Sequence, residues 1–487
     1  MNFSISPKYM RAWEQYAFSK GVSSLYLMEK AARVSLEAIK SIISYPLADK
    51  RILVVCGSGN NGGDGTALAR MLADEGVETH VYILKEPRTY DAKYNLEKLK
   101  YTNAKILEKA EFVNYDLIVD AIFGTGLRGG VKGEAVNIIH GINSSGVKIL
   151  SLDIPSGIDG NTGYAEGAFI RAKYTISFQK AKHGLFFSKE GAAGEIMVAD
   201  IDLPSIYMPP ITNLQDRAAI MHQEDFLSLI PKRNSYSYKG DFGRVLLYVG
   251  SFGMAGAASM AALACIKSGA GLVYVLCEDK VAEIMQNSVP NAMCVHAKPE
   301  NISLFALGCG IEENASTWET ILELFDDTIP SIWDAGALNL LAKNPIKLGE
   351  RAIITPHIGE AARLLKCKNE DIQNDMFSAA IELNSRFGAN VLLKGNSTLM
   401  YDGKDFAIQP GGVSALAKGG SGDALLGILS AIYAQQKGDK PLIAMQLASY
   451  WLNLSGRYVQ QKQGSYSPTT MDIVISLGNA LTSIKGQ

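Results

Sequence analysis

The sequence is expected to fold as two α/β domains, residues 1–212 and 213–487, each with helices on both faces of a mainly parallel sheet, a three-layer α/β/α arrangement. Three observations carry this. Short apolar runs of strand length alternate with longer helix-like segments through both halves, the pattern of parallel α/β folds. Several of those runs end in glycine-bearing turns, as strands feeding a ligand crevice do. Between the halves, Asp202-Leu203-Pro204 through Pro209-Pro210 is proline-bearing and sparsely patterned, and reads as a linker.

Composition narrows the class. Lys plus Arg is 47 against 49 for Asp plus Glu, a formal charge of −2, which gives no electrostatic ground for nucleic acid or a membrane surface as partner. The cysteines Cys56, Cys265, Cys277, Cys294, Cys309 and Cys367 form no C-x-x-C pair, and most lie in apolar runs. They read as reduced, packed thiols of a cytoplasmic protein. The histidines are dispersed without metal-ligand spacing. Met1 to Tyr16 has no apolar signal core, and Lys267 breaks the best membrane-span candidate, Met254 to Leu276.

In the first half, Tyr9 to Ile39 reads as helical, in two segments separated by Gly21. Arg51 to Cys56 reads as a strand running into Gly57-Ser58-Gly59-Asn60-Asn61-Gly62-Gly63-Asp64-Gly65, with a helix expected from Thr66 to Glu75. Strand, glycine-rich turn and helix form the phosphate-cradling unit of a doubly wound sheet. The next strand, Thr79 to Leu84, runs into Lys85 without an acid to hold a ribose, which argues against an ordinary dehydrogenase. Two further strands, Asp116 to Asp120 and Val147 to Asp153, end in acids followed by Gly124-Thr125-Gly126 and Ser156-Gly157. On one sheet edge, Asn61, Asp120, Asp153 and Ser156 can converge, although each acid alone could be a turn former.

These three stretches, with Leu27-Met28-Glu29-Lys30-Ala31-Ala32, resemble the motifs of the NAD(P)HX epimerase family over about residues 1 to 210. The resemblance implies a Rossmann-like domain that interconverts the R and S forms of NADHX and NADPHX, the hydrated forms of NADH and NADPH. It implies that Asn60, Asn61, Gly62, Gly63 and Asp64, and Gly124, Thr125, Gly126, Leu127, Arg128, Gly129 and Gly130, bind the substrate. Asp153 would stand at the reacting ring, and Asn61, Asp120 and Ser156 would offer oxygens to a potassium ion. Lys182 matches a family lysine and is a second acid/base candidate; a solvated surface lysine is the alternative.

In the second half, strand-like runs are Arg244 to Val249, Gly271 to Leu276, Leu304 to Leu307, Ile332 to Asp334, Ala352 to Thr355 and Asn390 to Leu393. Helix-like segments between them include Ala255 to Ser268, Thr317 to Leu324, Ile358 to Leu365 and Met376 to Phe387. Asp402-Gly403 reads as a hairpin turn. Near the end, Gly411 to Asp423 is glycine-rich and leads into a buried helix, so Gly420, Ser421, Gly422 and Asp423 fall at a helix N-terminus. That position suits an anion or a developing oxyanion, with Asp423 beside it as acid/base or as a cap. Lys394, Ser397 and Thr398 offer a cation and hydroxyls to a phosphate, or form a polar turn. His357 alone reads as structural or surface.

Lys239-Gly240-Asp241-Phe242-Gly243, Ser268 to Val273, Thr355-Pro356-His357, Lys394-Gly395 and Gly419 to Asp423 together resemble the NAD(P)HX dehydratase family, of ribokinase-like fold, over about residues 225 to 480. The resemblance implies that ADP, with magnesium, phosphorylates S-NAD(P)HX and that phosphate then leaves. Asp423 would be the base. Ala257, Gly310, His357 and Asp423 would bind this substrate; Lys394, Gly395, Asn396, Ser397, Thr398, Gly420, Ser421 and Gly422 would bind the nucleotide. Two departures stand out: Gly336 where the family usually has Asp, and Cys309 where it usually has Pro, expected to change only loop stiffness.

One half would supply the epimer that the other consumes. A ribokinase-type kinase of a small alcohol, with a non-catalytic first half, is the competing reading. A homo-oligomer is expected.

Overall fold

The computed structural model describes residues 2–43 and 46–485; the outer limits of the two expected domains, residues 1 and 487, lie outside them. The chain divides into two compact units, Phe3–Ala218 and one beginning at Ala219. Their boundary falls past the expected 212/213 because residues up to Asp216 are tied into the first unit. Ser6 donates through Oγ to Asp216 at 2.8 Å, and the Gln215 carbonyl lies 3.0 Å from His183 Nε2.

The first unit is built on a seven-stranded sheet. Its spatial order is Lys105–Leu107, Glu78–Ile83, Arg51–Cys56, Leu117–Ala121, Ile149–Leu152, Tyr174–Phe178, Glu195–Ala199, parallel throughout. Alternate residues of the central strand feed opposite cores. Ile52, Val54 and Cys56 pack with Trp13, Ala67 and Leu68; Leu53 and Val55 pack with Ile118, Ile138 and Ile142. A strand buried on both faces has to be apolar along its length, which is why Arg51–Cys56 reads as an unbroken apolar run. The strands Tyr174–Phe178 and Glu195–Ala199 were not anticipated.

The helix expected from Thr66 begins at Asn60 and runs to Asp74. Its glycines are there for space rather than for a flexible loop. A Cβ on Gly62 would overlap the Gly57 carbonyl, and one on Gly65 would lie 2.6 Å from Ala121 Cβ and 2.8 Å from Cys56 Sγ. The motif therefore lets a helix start directly against the strand ends.

In the second unit, nine strands run in the order Met293–Val295, Leu272–Leu276, Arg244–Tyr248, Leu304–Leu307, Ser331–Trp333, Ala352–Ile354, Asn390–Leu393, Thr398–Tyr401, Phe406–Gln409. All but the last two pairings are parallel, and the final pair is the hairpin around Asp402-Gly403. One core joins Val245 and Leu247 to the helices Ala255–Lys267, Ser421–Gln435 and Pro441–Gln463. A Cβ on Gly427 would lie 2.8 Å from Ala264 Cβ, so glycine and alanine let the first two helices approach closely. Both sheets thus present their carboxyl ends, the edge where open α/β folds hold ligands. Among the described residues no helix is long and apolar enough to cross a membrane.

Candidate active sites

In the first unit, the strand ends open into a cavity of about 560 Å³. Asn60, Asn61, Asp64, the run 124–128, Asp153 and Lys182 line it. Gly62, Gly63, Gly129 and Gly130 do not. A Cβ on Gly63 would lie 2.7 Å from Met28 Cε, so this glycine packs against a helix instead, and the Gly130 amide donates to Glu166 Oε2 at 3.1 Å.

Asp153 follows the strand Ile149–Leu152 in a left-handed conformation, φ 63°. Its amide donates to Ile176 O at 2.7 Å. Its Oδ1 accepts from Lys182 Nζ at 2.5 Å. Lys182 is not a surface lysine: its side chain is 1% exposed and also donates to Phe178 O and Ser177 Oγ. An ammonium buried this deeply needs its donors satisfied, and here three partners satisfy them.

Three more carboxylates share the cavity: Glu14, Asp64 and Asp91. Glu14, from the helix Pro7–Ser19, escaped the sequence reading. Burial pushes its carboxyl up to about 7, against the pull of Lys182 and with the help of Asp153. The available signal was an acid set beside the apolar stripe Met10, Trp13, Ala17. Asp64 is also held well above the usual carboxylate range, by burial first and then by Asp153, Glu14 and Asp91.

Asp120 and Ser156 lie beneath the cavity wall. Asp120 Oδ2 accepts from Ser151 Oγ and the Ser156 amide at 2.8 and 2.9 Å, and Oδ1 accepts from Ser156 Oγ and the Ile122 amide. Burial raises its pKa while these donors oppose the rise. Asn61 contrasts with it. It is 7% exposed, yet neither its Oδ1 nor its Nδ2 has a partner, the state of a buried amide awaiting a ligand or an ion.

In the second unit, Gly420 is the N-cap of the helix Ser421–Gln435, at φ 92° and with no side-chain cap. A Cβ there would meet Met260 Sδ at 2.5 Å. The Ser421 amide reaches back to Lys418 O at 3.4 Å, and no side chain caps the other amides of the first turn, a position suited to an anion. Asp423 sits in that turn, its carboxyl raised by burial, lowered by a hydrogen bond from Cys309, and raised again by Asp334. Lys394 Nζ pairs with Asp334 Oδ1 at 2.6 Å, and Asp334 is almost wholly buried. A Cβ on Gly422 would lie 3.6 Å from both partners of that pair, so the helix N-terminus rests on it.

Cys309 does more than alter a loop. Its thiol is buried, lies 3.6 Å from Asp334 Oδ2 and also bonds Asp423. Burial and the two carboxylates hold it well above the usual thiol range, so it remains a neutral donor. Gly336 is a packing glycine: its amide donates to Gly308 O, and a Cβ would lie 2.9 Å from Ile311 Cγ1.

A second cavity, of about 490 Å³, is lined by Lys394, Gly395, Asn396, Thr398, Ser421 and Gly422, but not by Ser397 or Gly420. Ser397 Oγ instead accepts the Gly411 amide at 3.1 Å. The expected substrate residues Ala257, Gly310, His357 and Asp423 are not on this wall. Gly310 and Ala257 adjoin each other, while His357 caps the helix Ile358–Leu365, its Nδ1 accepting the Gly359 amide at 3.0 Å. His357 stays half exposed.

Fold and sites define a protein of two α/β units, each with an acid–lysine cluster at the carboxyl edge of a parallel sheet. Residues 24–184 match the family described as YjeF-related protein N-terminus, and residues 245–476 match the NAD(P)H-hydrate dehydratase family. A bifunctional NAD(P)H-hydrate repair enzyme from Moorella thermoacetica is 32% identical, over 95% of this chain and 93% of its own. The enzyme so named from Escherichia coli is 33% identical over 85% of this chain and 82% of its own. A solved ADP/ATP-dependent NAD(P)H-hydrate dehydratase from Bacillus subtilis, 24% identical, aligns over 55% of this chain and 99% of that one with a TM-score of 0.49. The chain belongs to the family of bifunctional NAD(P)H-hydrate repair enzymes.

Proposed function

We propose that the chain repairs hydrated NADH and NADPH in two steps, epimerisation in the first unit and nucleotide-driven dehydration of the S epimer in the second. The observation that carries this reading is that each unit holds its own acid–lysine cluster, Asp153–Lys182 lining the first cavity and Asp423 beside Asp334–Lys394, of which Lys394 lines the second.

Epimerisation requires a proton given to the departing hydroxyl and one taken from the water that returns on the other face. The bonded pair Asp153 and Lys182 offers one acceptor and one donor at that point. Potassium, when bound, would supply positive charge that orients substrate oxygens. Of the three expected ligands, Asn61 fits such a hard cation, its Oδ1 being buried without a partner among the described residues, whereas the Asp120 oxygens are already taken by Ser151, Ser156 and the Ile122 amide and would have to exchange those bonds.

For dehydration, Asp423 takes the proton of the substrate hydroxyl as that oxygen bonds to the terminal phosphoryl of ADP, and the bridging P–O bond breaks so that AMP leaves with its bonding electrons. The amides of Gly420 to Gly422 stabilise the charge on the transferring group. Phosphate then leaves with the C–O bonding electrons, and loss of a neighbouring C–H proton forms the ring double bond. Magnesium, when bound, would be held largely by the nucleotide's own phosphate oxygens and offset their charge. The cavity lined by Lys394 to Asn396, Thr398, Ser421 and Gly422 would take the nucleotide; Ala257, Gly310 and His357 would face the hydrate. A cytoplasmic location is supported by six unpaired cysteines, and the expected homo-oligomer is tested by light scattering.

The test mixes the protein with both NADHX epimers, magnesium and either ADP or ATP while following NADH fluorescence. Complete recovery faster than spontaneous epimerisation is expected. Recovery that stops at the S fraction would remove the epimerase, and a stable phosphorylated product would favour a kinase.

A further inference from the structure

A dinucleotide fold usually holds a ribose with an acid at the end of its second strand. Here that strand, Glu78–Ile83, ends without one. The structure brings an acid to this end of the first cavity from another element. The helix Tyr90–Leu99 places Asp91 in its first turn, lining the cavity beside Thr89 and Ser58.

Among the described residues, the Thr89 hydroxyl and the Asn61 amide of this cavity are buried without partners, and the Asp91 carboxylate joins them in its lining. Asp91 is 8% exposed, and its carboxylate accepts no hydrogen bond and forms no ion pair among the described residues. Thr89 is the helix N-cap, a position where threonine ordinarily bonds an amide of the first turn. Its hydroxyl makes no such bond and is buried with no partner. Asn61, which lines the same cavity, has both amide atoms unpartnered. Buried polar groups are nearly always satisfied, so an orphaned Thr89 hydroxyl beside a cavity-lining carboxylate fits a ligand that brings the missing donors and acceptors.

The cavity lining carries the cation Arg88 as well as Asp64 and Asp91, so the choice of ligand rests on the side chains rather than on net charge: Asp91 offers a carboxylate acceptor beside the Thr89 hydroxyl. A vicinal diol is neutral and offers two donors to one carboxylate and an acceptor to a threonine hydroxyl. Thr89 and Asp91 line the same cavity as Asp153 and Lys182, so a substrate held at that pair can extend to this wall.

We infer that Asp91, with the Thr89 hydroxyl, binds the two hydroxyls of the ribose attached to the substrate's reacting ring. This rests on the reading of the first unit as the epimerising half. The subsite makes recognition depend on the sugar that NADHX and NADPHX share, so it anchors both equally.

Epimerisation of R-NADHX and R-NADPHX by the full chain tests this with Asp91→Ala and Thr89→Val. The expected result for Asp91→Ala is a rise in KM of about tenfold or more, equal for the two substrates and larger than any fall in kcat, as for a lost charged hydrogen bond. Thr89→Val is expected to raise KM severalfold. With a substrate whose reacting-ring ribose is 2′,3′-dideoxy, neither variant should differ from the unaltered protein. An unchanged melting temperature of the first unit, followed by calorimetry, reports that each variant has folded. An unchanged KM would overturn the subsite, as would an equal loss on the dideoxy substrate or a loss confined to NADHX. Failure of the unaltered protein to epimerise would remove the epimerase reading itself and the subsite with it.

Discussion

Each unit buries one lysine against one strand-end aspartate, and the two pairs are put to different use. In the first, Lys182 is sealed from solvent, and its partner Asp153 faces the cavity where the hydrate would sit. In the second, Lys394 borders the cavity, and its partner Asp334 is the buried member. The carboxylate suited to chemistry there is a third group, Asp423, aligned with a helix N-terminus. A buried lysine–aspartate pair is therefore not in itself a catalytic signature. What decides is which member meets the cavity and where the unpaired acid stands. On the proposed reading, Asp153 and Lys182 would be the acid/base device, whereas Asp334 and Lys394 would balance charge beneath the phosphoryl site and leave Asp423 to take a proton.

The sharpest way to break this contrast is to remove one carboxylate at a time and read both activities. Asp423→Asn should lower ADP-dependent dehydration of S-NADHX by about 10³-fold or more and leave epimerisation intact. Loss of both activities would mean that the units do not act separately. Asp153→Asn should lower epimerisation about 10²-fold while dehydration of the S epimer continues; retention of epimerisation would move the acid/base work to Glu14 or Asp64. Glu14 then sharpens the picture through stability. Its folded pKa, about 7, is above the ordinary carboxyl value, so folding favours the protonated form. The stability this contributes is present below about pH 4.5 and is lost as pH rises through 7. Glu14→Gln should flatten the fall in melting temperature of the first unit between pH 5 and 8, as followed by calorimetry. The smallest effect is expected at Cys309. Its thiol favours the ionised form of Asp423, so Cys309→Ala should move the acidic limb of the dehydration profile upward and cost about two- to threefold at pH 6. Cys309→Ser should restore the profile, whereas a merely structural role would shift rate without shifting the limb.

Much of the framework could be read from the chain. The runs Arg51–Cys56, Leu304–Leu307 and Asn390–Leu393, and the helices Ile358–Leu365 and Met376–Phe387, lie where their apolar patterns put them. Local signals sufficed there because burial pattern and end residues agree. Asn60–Asp74 was misread at its start since glycines signal loops locally, and only the nearby strand explains why they open a helix. Tyr174–Phe178 alternates polar and apolar residues over too short a span to stand out. Glu14, Asp91 and Cys309 were hidden for another reason. Their roles come from neighbours more than twenty residues away, such as Lys182 for Glu14 and Asp423 for Cys309, and no local pattern encodes such meetings.

The left-handed backbone at Asp153 limits what can replace it. Asparagine and glycine tolerate φ near 63°, whereas alanine or a branched side chain would strain the strand end and disturb Lys182 with it. Drift at this position is thus channelled by geometry before it is filtered by chemistry. A lineage that had abandoned the reaction but kept the scaffold would be expected to carry Asn or Gly here, so one codon separates a silent copy from a working one.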